Sequence, residues 1–144
     1  MGAAMSKIAL YTFLALTMTA LYMLTHFTLN GTASEPIGLY RITNRPPTRD
    51  ALVLLKDPLK RLAGVPGDQI RMAPEGVYVN GHLIANSAVP LGSPYPHYPY
   101  GTFTLAPDQY LVLGNHARSW DSRYEGPIPG SLIASTVEPF WIQQ

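Results

Sequence analysis

The stretch GVYVNGHLI, residues 76–84, contains the strongest turn signal in this chain. Asn80-Gly81 lies between two short apolar runs, and an Asn-Gly pair favours the type I′ turn of a β-hairpin with a two-residue loop. Other short runs rich in β-branched and aromatic residues predict strands on both sides of this hairpin. The predicted strands span residues 39–42, 51–55, 69–72, 76–79, 109–113 and 131–141.

Proline and glycine are frequent in the segments around these strands. The sequence has 14 prolines and 12 glycines among 144 residues, which indicates many turns and short elements. Residues 90–107 are rich in Pro and Tyr and predict a long ordered loop or flap without a regular period. Beyond residue 30 no helical pattern is longer than a turn or two.

The N-terminal segment differs from the rest. Residues 8–29 contain no charged side chain and are long enough to cross a bilayer, which takes about 20 apolar residues. Lys7 precedes this span and favours a cytoplasmic N-terminus. Gly31 and Ala33 also fit a signal-peptide cleavage site, but the apolar run exceeds the about 7–15 residues usual for such a core. The sequence therefore favours a retained anchor.

Together these patterns predict a mainly β fold. One N-terminal transmembrane helix is followed by a small, partly closed antiparallel β domain. Residues 1–30 form a cytoplasmic stub and anchor in this prediction, with the span at about 8–29, and residues 31–144 form the extracytoplasmic domain.

Composition excludes several functions. The formal net charge of +1 is too small to favour binding to nucleic acid. The chain has no cysteine, which excludes a disulfide framework, a thiolate metal site and a cysteine nucleophile. No two of the four histidines have metal-ligand spacing on one predicted element, so we expect no metal or other cofactor.

Two short motifs carry a serine and a lysine. Ser34 lies on a turn just beyond the predicted span, stiffened by Pro36, although a serine beside a proline is by itself an ordinary turn residue. Lys60 begins the segment KRLAGVPGD, with leucines at 59 and 62 that could bury it. A lysine acts as a general base only when burial lowers its pKa. Lys56 is the rival lysine, but Asp57 beside it would keep it charged.

A third motif follows the strand predicted at 109–113. It is a dense polar cluster of Ser119, Asp121, Ser122 and Arg123. An Asp–Arg pair on a surface loop contributes little stability by itself. The alternative interpretation is a supporting role, in which the pair fixes the loop and the Ser119 hydroxyl orients a lysine amine.

These three segments, in this order, resemble those of the signal peptidase I (S26) family of serine proteases. Ser34-x-Pro36 resembles the nucleophile box of the family, and residues 60–68 resemble its general-base box. Residues 119–126 resemble its final box. The short length, the single anchor and residues 34–40 are most similar to the TraF-type conjugative-transfer peptidases. Two positions depart from the family pattern: Asn115, where an acidic residue is usual, and Glu35, where an apolar one is commoner.

The resemblance implies a role for each matching residue. Ser34 would be the nucleophile and Lys60 the general base, a Ser/Lys variant of triad chemistry. The Thr32 hydroxyl and the Ser34 backbone N–H would form the oxyanion hole. Ser119 would hydrogen-bond Lys60, and the Asp121–Arg123 pair would support that loop. A Ser34–His116–Asp121 triad is the alternative that the residues alone leave open.

The resemblance also implies a serine endopeptidase that is single-pass in the bacterial inner membrane, with its catalytic domain in the periplasm. Its partners would be the lipid bilayer and an exported or membrane-embedded precursor with small residues before the cut. The TraF-type similarity implies pilin maturation for conjugative transfer, including a route by cyclisation. A general signal peptidase I and a catalytically inactive, membrane-tethered scaffold of a secretion system are the alternatives.

Overall fold

The computed structural model describes residues 6–43, 45–56 and 58–143. Helix α1 (Lys7–His26) is capped at its N-terminus by Ser6, whose side-chain oxygen accepts a hydrogen bond from the Ala9 N–H at 3.2 Å. No residue of α1 is buried in the protein. By length and composition, α1 is long and apolar enough to cross a membrane.

Four threonine hydroxyls in α1 bond to carbonyls one turn back, as expected for polar groups in an apolar helix. The helix is shorter than the span predicted from the sequence. Residues 27–29 belong to the first strand instead, because their backbone groups find partners in the next strand, with Phe27 opposite Arg41.

Strands form nearly all of the remaining regular structure. Within the described residues the strands are β1 (Phe27–Asn30), β2 (Gly38–Thr43), β3 (Leu52–Leu54), β4 (Leu59–Gly64), β5 (Gln69–Ala73), β6 (Gly76–Val79), β7 (His82–Leu83), β8 (Gly101–Thr104), β9 (Gln109–Leu113), β10 (Ile128–Pro129) and β11 (Ser135–Ile142). A one-turn helix α2 (Ser122–Glu125) and a 3₁₀ turn (Gly130–Leu132) lie between β9 and β11.

The strands form two antiparallel sheets. The larger sheet has the order β1-β2-β11-β3-β4-β9-β10, and the smaller has the order β7-β6-β5-β8. The fold is therefore mainly β with an N-terminal apolar helix and a curled antiparallel sheet, which confirms the predicted class. Strand β4 lies between β3 and β9, and it therefore brings the lysine motif next to the strand that leads into the final polar cluster.

The predicted hairpin is confirmed. Asn80 and Gly81 have φ of 51° and 84°, the positive values that a type I′ turn requires at both central positions. The Asn80 side-chain amide also donates to the Asp68 carboxylate at 2.8 Å, and the same carboxylate accepts from the Val65 backbone N–H at 2.9 Å. The hairpin is thus tied to the Pro-Gly turn that ends the lysine motif.

Five strands differ from the sequence prediction, among them the two-residue β10, which was not predicted. Strands β1 and β4 were not predicted, because β1 continues an apolar run and β4 carries Lys60 and Arg61 within its pattern. Strand β8 lies inside residues 90–107, which were predicted as loop. Strand β11 starts at Ser135 rather than at residue 131, since the 3₁₀ turn occupies the preceding residues.

Candidate active site

The turn that carries Ser34 connects β1 to β2 and is organised by Asn30. The Asn30 side chain is buried, and its amide nitrogen lies 2.7 Å from the Glu35 carbonyl oxygen and 3.0 Å from that of Thr32. The Ser34 carbonyl accepts from the Asn115 N–H at 2.6 Å. The turn is therefore fixed from both sides, which holds Ser34 in one position.

Lys60 lies on β4 and points at Ser34. Both residues are buried, with 2% and 8% of their surface exposed. The Lys60 Nζ donates to the Ser34 Oγ over 3.2 Å and also to the Ser119 Oγ. The two residues that the sequence singled out as nucleophile and base are thus within hydrogen-bonding distance, although 26 positions separate them along the chain.

The environment of Lys60 favours the neutral amine. Burial lowers the pKa of Lys60 below its ordinary value of 10.5, and the positive charge of Arg123 lowers it further, while the carboxylates of Asp121 and Glu35 oppose this change. The net direction is downward, because removal from water penalises the ammonium form. A neutral lysine accepts a proton, which a charged lysine cannot do.

Ser119 completes a three-membered cluster. Its hydroxyl lies 3.3 Å from the Ser34 Oγ and also accepts from Lys60. Gly114 makes room for this hydroxyl, since a Cβ at that position would clash with Ser119 and approach the Lys60 Nζ to 3.4 Å. The glycine that directly follows β9 is therefore required by the position of Ser119.

The Asp121–Arg123 pair holds the loop that presents Ser119. Arg123 is 2% exposed and Asp121 is 3% exposed, so this pair is buried rather than on the surface. The Arg123 Nε and Nη2 donate to the Asp121 carboxylate at 2.8 and 2.7 Å. Arg123 also donates to the carbonyls of Ala117 and His116, at 3.0 and 2.9 Å, and thereby closes the loop.

Thr32 lies two residues before Ser34, but its hydroxyl bonds to Asn30. The Thr32 Oγ1 donates to the Asn30 Oδ1 over 2.9 Å, and the Thr32 N–H shares the same acceptor at 3.2 Å. Donation to an oxyanion requires the hydroxyl to rotate away from Asn30. The assignment of Thr32 to the oxyanion hole remains a prediction.

Neither alternative to Lys60 hydrogen-bonds Ser34 within the described residues, although His116 lines the same pocket as Ser34 and Lys60. The His116 ring is exposed, and its Nδ1 accepts from the Arg118 N–H at 3.1 Å. Across residues 6–43, 45–56 and 58–143, no hydrogen bond joins this ring to Ser34 or Asp121. Lys56 is exposed, and Asp57, expected to keep it charged, lies outside the described residues.

Asn30 is the residue that sequence reasoning missed. It orders the backbone of the serine turn but touches none of the three clustered side chains in the described hydrogen bonds. The only signal in the sequence is its place as the first amide residue after the apolar run. An asparagine before Gly31 is an ordinary turn former, which is why the sequence pattern did not distinguish it.

Glu35 is buried next to the nucleophile and is incompletely paired. Its side chain is 1% exposed; one carboxylate oxygen lies 3.4 Å from Arg61, and the other has no hydrogen-bond partner within the described part of the chain. Burial raises the pKa of Glu35, and Arg61 only partly offsets this. Its negative charge raises the pKa of Lys60.

Glu35→Gln is expected to move the acid limb of the pH–activity profile to lower pH. The substitution removes a negative charge that stabilises the ammonium form of Lys60, so that the amine loses its proton more readily. The measurement is kcat/KM against pH for both proteins. Glu75→Gln, an exposed carboxylate beyond β5, is the matched control and leaves the limb in place. If the acid limb of Glu35→Gln stays at the wild-type pH or moves to higher pH, the charge of Glu35 does not raise the pKa of Lys60.

Residues 3–141 match the family model described as "Signal peptidase, peptidase S26". The chain therefore belongs to the signal peptidase family, peptidase S26, whose members are serine peptidases with a role in protein processing. This match extends across the apolar helix, the serine turn, the lysine strand and the final polar cluster.

Individual relatives are similar over different lengths. A probable signal peptidase I-2 from Synechocystis sp. is 40% identical over 85 residues, which cover 58% of this chain but only 38% of that protein. A plasmid transfer protein TraF from Escherichia coli is 29% identical over 142 residues, covering 77% of this chain and 80% of that protein. A signal peptidase I crystal structure from Enterococcus faecalis covers 65% of this chain and 98% of its own, with a TM-score of 0.46 and 24% identity.

Proposed function

We propose that this protein is a membrane-anchored serine endopeptidase with a Ser34/Lys60 dyad. The observation that carries the proposal is the 3.2 Å separation of the Lys60 Nζ and the Ser34 Oγ, both buried, with the pKa of the lysine lowered. A buried lysine without a carboxylate in hydrogen-bond contact contributes little to stability, so its place beside a serine hydroxyl fits a chemical role.

The proposed reaction begins when Ser34 attacks the scissile carbonyl. The Oγ–carbon bond forms while the hydroxyl proton passes to the Lys60 Nζ, and the backbone N–H of Ser34 with the Thr32 hydroxyl stabilises the oxyanion. The carbon–nitrogen bond then breaks, and Lys60 returns the proton to the leaving amine. A second nucleophile, either water or an amine, attacks the Ser34 ester, and the proton it loses passes through Lys60 to the Ser34 Oγ.

Ser119 would keep the amine of Lys60 directed at Ser34 throughout these steps. Its hydroxyl contacts both groups, so it accepts from the lysine in one state and donates to the serine oxygen in another. The pair Asp121 and Arg123 acts only by fixing this loop. Asp121 and Arg123 are therefore positioning residues, because no described contact brings either of them to the Ser34 hydroxyl.

The substrate class proposed for this site is an exported precursor protein. The match to the plasmid transfer protein TraF from Escherichia coli covers 80% of that protein, which supports a role in plasmid transfer. Within that role, we propose pilin maturation. Lys7 and the apolar helix support a cytoplasmic N-terminus and a periplasmic catalytic domain in the inner membrane. The serine turn follows β1 directly after α1, which would place the cut close to the bilayer surface.

A general signal peptidase I is the second candidate. It is supported by the 40% identity to the probable signal peptidase I-2 over the shared 85 residues. The two candidates differ in the substrate and in the fate of the acyl-enzyme. In pilin cyclisation the N-terminal amine of the pilin replaces water as the second nucleophile.

Co-expression with a candidate pilin precursor and intact-mass measurement of the product tests the proposal. The full-length protein is expected to shorten the pilin, and Ser34→Ala to leave it unprocessed, because the ester cannot form. A product lighter by one further water identifies cyclisation. His116→Ala tests the histidine triad and is expected to still yield product, since no hydrogen bond within the described residues joins its ring to Ser34 or Lys60; His82→Ala, an exposed histidine on β7, is the matched control. Equal processing by Ser34→Ala rejects the dyad, and loss of product in His116→Ala supports the histidine triad instead.

A further inference from the structure

A second depression adjoins the pocket that contains the serine and lysine. The first pocket, of about 300 Å³, is lined by Ser34, Lys60 and Ser119, and also by Arg118 and Trp120. The second, of about 390 Å³, has these last two residues on its wall as well. The two pockets therefore lie side by side and share Arg118 and Trp120 as a common wall. We call the second one the aromatic groove.

The aromatic groove is lined mostly by apolar and aromatic side chains of the Pro/Tyr-rich loop. Leu91 is fully exposed, and Tyr95 and Trp120 are 58% and 48% exposed. The remaining wall comes from Pro90, Pro94 and Tyr124. Large apolar side chains that stay in water around a concavity are typical of a binding site.

The Trp120 ring is held in place before any ligand arrives. It stacks on Tyr124 with ring centroids 4.8 Å apart and an interplanar angle of 6°, and Tyr95 meets it edge-on at 5.3 Å. Its Nε1 donates to the Glu125 carboxylate over 2.7 Å. A fixed aromatic wall loses little conformational freedom on binding, which favours recognition of a side chain.

Arg118 adds a charge at the junction of the two pockets. It is exposed, and across the described ranges its guanidinium forms no ion pair or side-chain hydrogen bond. A guanidinium in this situation binds a carboxylate readily, through two parallel N–H donors. The junction therefore complements an acidic group next to an apolar one.

We propose that the aromatic groove is a substrate subsite that binds a large apolar or aromatic side chain close to the cut, while Arg118 pairs with an adjacent carboxylate of the same polypeptide. This inference rests on the proposed function, since the occupant is the chain being cleaved. In this proposal Trp120 and Arg118 determine substrate specificity. Their preference adds to the requirement for small substrate residues before the cut.

A membrane surface is the competing occupant, and the structure favours the peptide. The groove shares its Arg118 and Trp120 wall with the pocket of Ser34, whereas the exposed Phe140 of β11 packs edge-on, at 4.9 Å, against Phe27, the residue that caps the end of α1, and the exposed Trp141 follows it. That second aromatic surface is the one placed to meet lipid where the helix ends. Trp120 is instead placed to meet the polypeptide that enters the catalytic pocket.

Cleavage of a peptide library by the full chain in nanodiscs tests the subsite. The peptides keep Ala at the first and third positions before the cut and vary every position within about four residues on either side, since an extended chain advances about 3.3 Å per residue. The expected result is a preference at one position for Trp, Phe or Leu beside Asp or Glu. Trp120→Ala is expected to reduce kcat/KM for the preferred peptide about tenfold or more relative to an all-Ala peptide.

Arg118→Glu is the sharper variant, because it is expected to shift the preference from acidic to basic neighbours rather than merely weaken binding. Arg71→Gln and Tyr78→Ala, which remove an exposed arginine on β5 and the half-buried tyrosine of β6 that it stacks on, are the matched controls and keep the original preference. A wild-type protein that cleaves all peptides equally, or an unchanged preference in both Trp120→Ala and Arg118→Glu, overturns the subsite.

A binding measurement separates this inference from the proposed chemistry. In Ser34→Ala/Trp141→Phe the only tryptophan left is Trp120, and the preferred peptide is expected to change its fluorescence saturably, with the effect lost in Arg118→Glu. Such binding without Ser34-dependent cleavage would reject the dyad and keep the subsite. No fluorescence response to any peptide, or quenching of Trp120 by brominated lipids in the nanodisc instead, overturns the subsite and assigns the groove to the membrane.

Discussion

Lys60→Met is expected to reduce peptide cleavage by about 10⁴-fold or more, the range found when one member of a nucleophile–base pair is removed. The variant retains the length and burial of the side chain but cannot accept the Ser34 proton. The measurement is kcat/KM with a cleavable peptide. Lys56→Met, which changes an exposed lysine four positions earlier, is the matched control and is expected to keep full activity.

The same variant is expected to unfold at an equal or higher temperature than the wild type. Burial of an amine that is charged in the unfolded chain makes folding less favourable, and methionine removes that penalty. Because the folded-state pKa of Lys60 lies below its ordinary value of 10.5, the unfolded chain binds more protons between the two values, and wild-type stability rises with pH there. The advantage of Lys60→Met should therefore be largest at low pH and shrink as pH approaches 10.5.

The combination of lost activity and retained stability distinguishes a general base from a structural lysine. A purely structural Lys60, bonded to Ser119 and Ser34 to hold the turn, would give a less stable methionine variant. Substantial cleavage by a folded Lys60→Met protein would show that another group activates Ser34. The thermal unfolding of the purified full-length variants, followed by circular dichroism at several pH values, supplies the comparison.

The sequence predicted the fold class and the contact between the serine and the lysine for different reasons. The Asn80-Gly81 hairpin followed from local turn chemistry, which needs no tertiary information. The position of Lys60 beside Ser34 followed from a resemblance, because nothing in the residues between 34 and 60 determines that distance. The sheet order β1-β2-β11-β3-β4-β9 and the hydrogen bond from the Asn115 N–H, just beyond β9, to the Ser34 carbonyl bring the two residues together in the folded protein.

The features that the sequence did not reveal all depend on tertiary contacts. Strand β1 continues an apolar run, and only its pairing with β2 shows that the helix has ended at His26. Asn30 stabilises the serine turn by donating to backbone carbonyls that come within reach only after the turn has folded. The contact of Tyr98 with Gly126 depends on tertiary structure in the same way, because the Tyr98 ring fills the space that a side chain at position 126 would need.

Arg123→Met is expected to cost about 3–5 kcal/mol of stability, the amount typical when one partner of a buried ion pair is removed. Asp121 is buried and would keep a single remaining donor to its carboxylate from outside its own small helix, the Gly114 N–H at 2.8 Å. The Ala117 carbonyl would lose its Arg123 donor as well, and the His116 carbonyl would keep only the Ser119 N–H. Urea unfolding of the full chain in detergent measures the loss.

An exposed pair supplies the control for this second prediction. Arg41 and Glu138 lie 2.7 Å apart, but their side chains are 54% and 32% exposed, so Arg41→Met is expected to cost less than about 1 kcal/mol. The double variant Asp121→Asn/Arg123→Met should be less destabilised than the sum of its single variants, because no uncompensated charge remains buried. If Arg123→Met unfolds no more readily than Arg41→Met, the loop that presents Ser119 to Lys60 is held by something other than this pair.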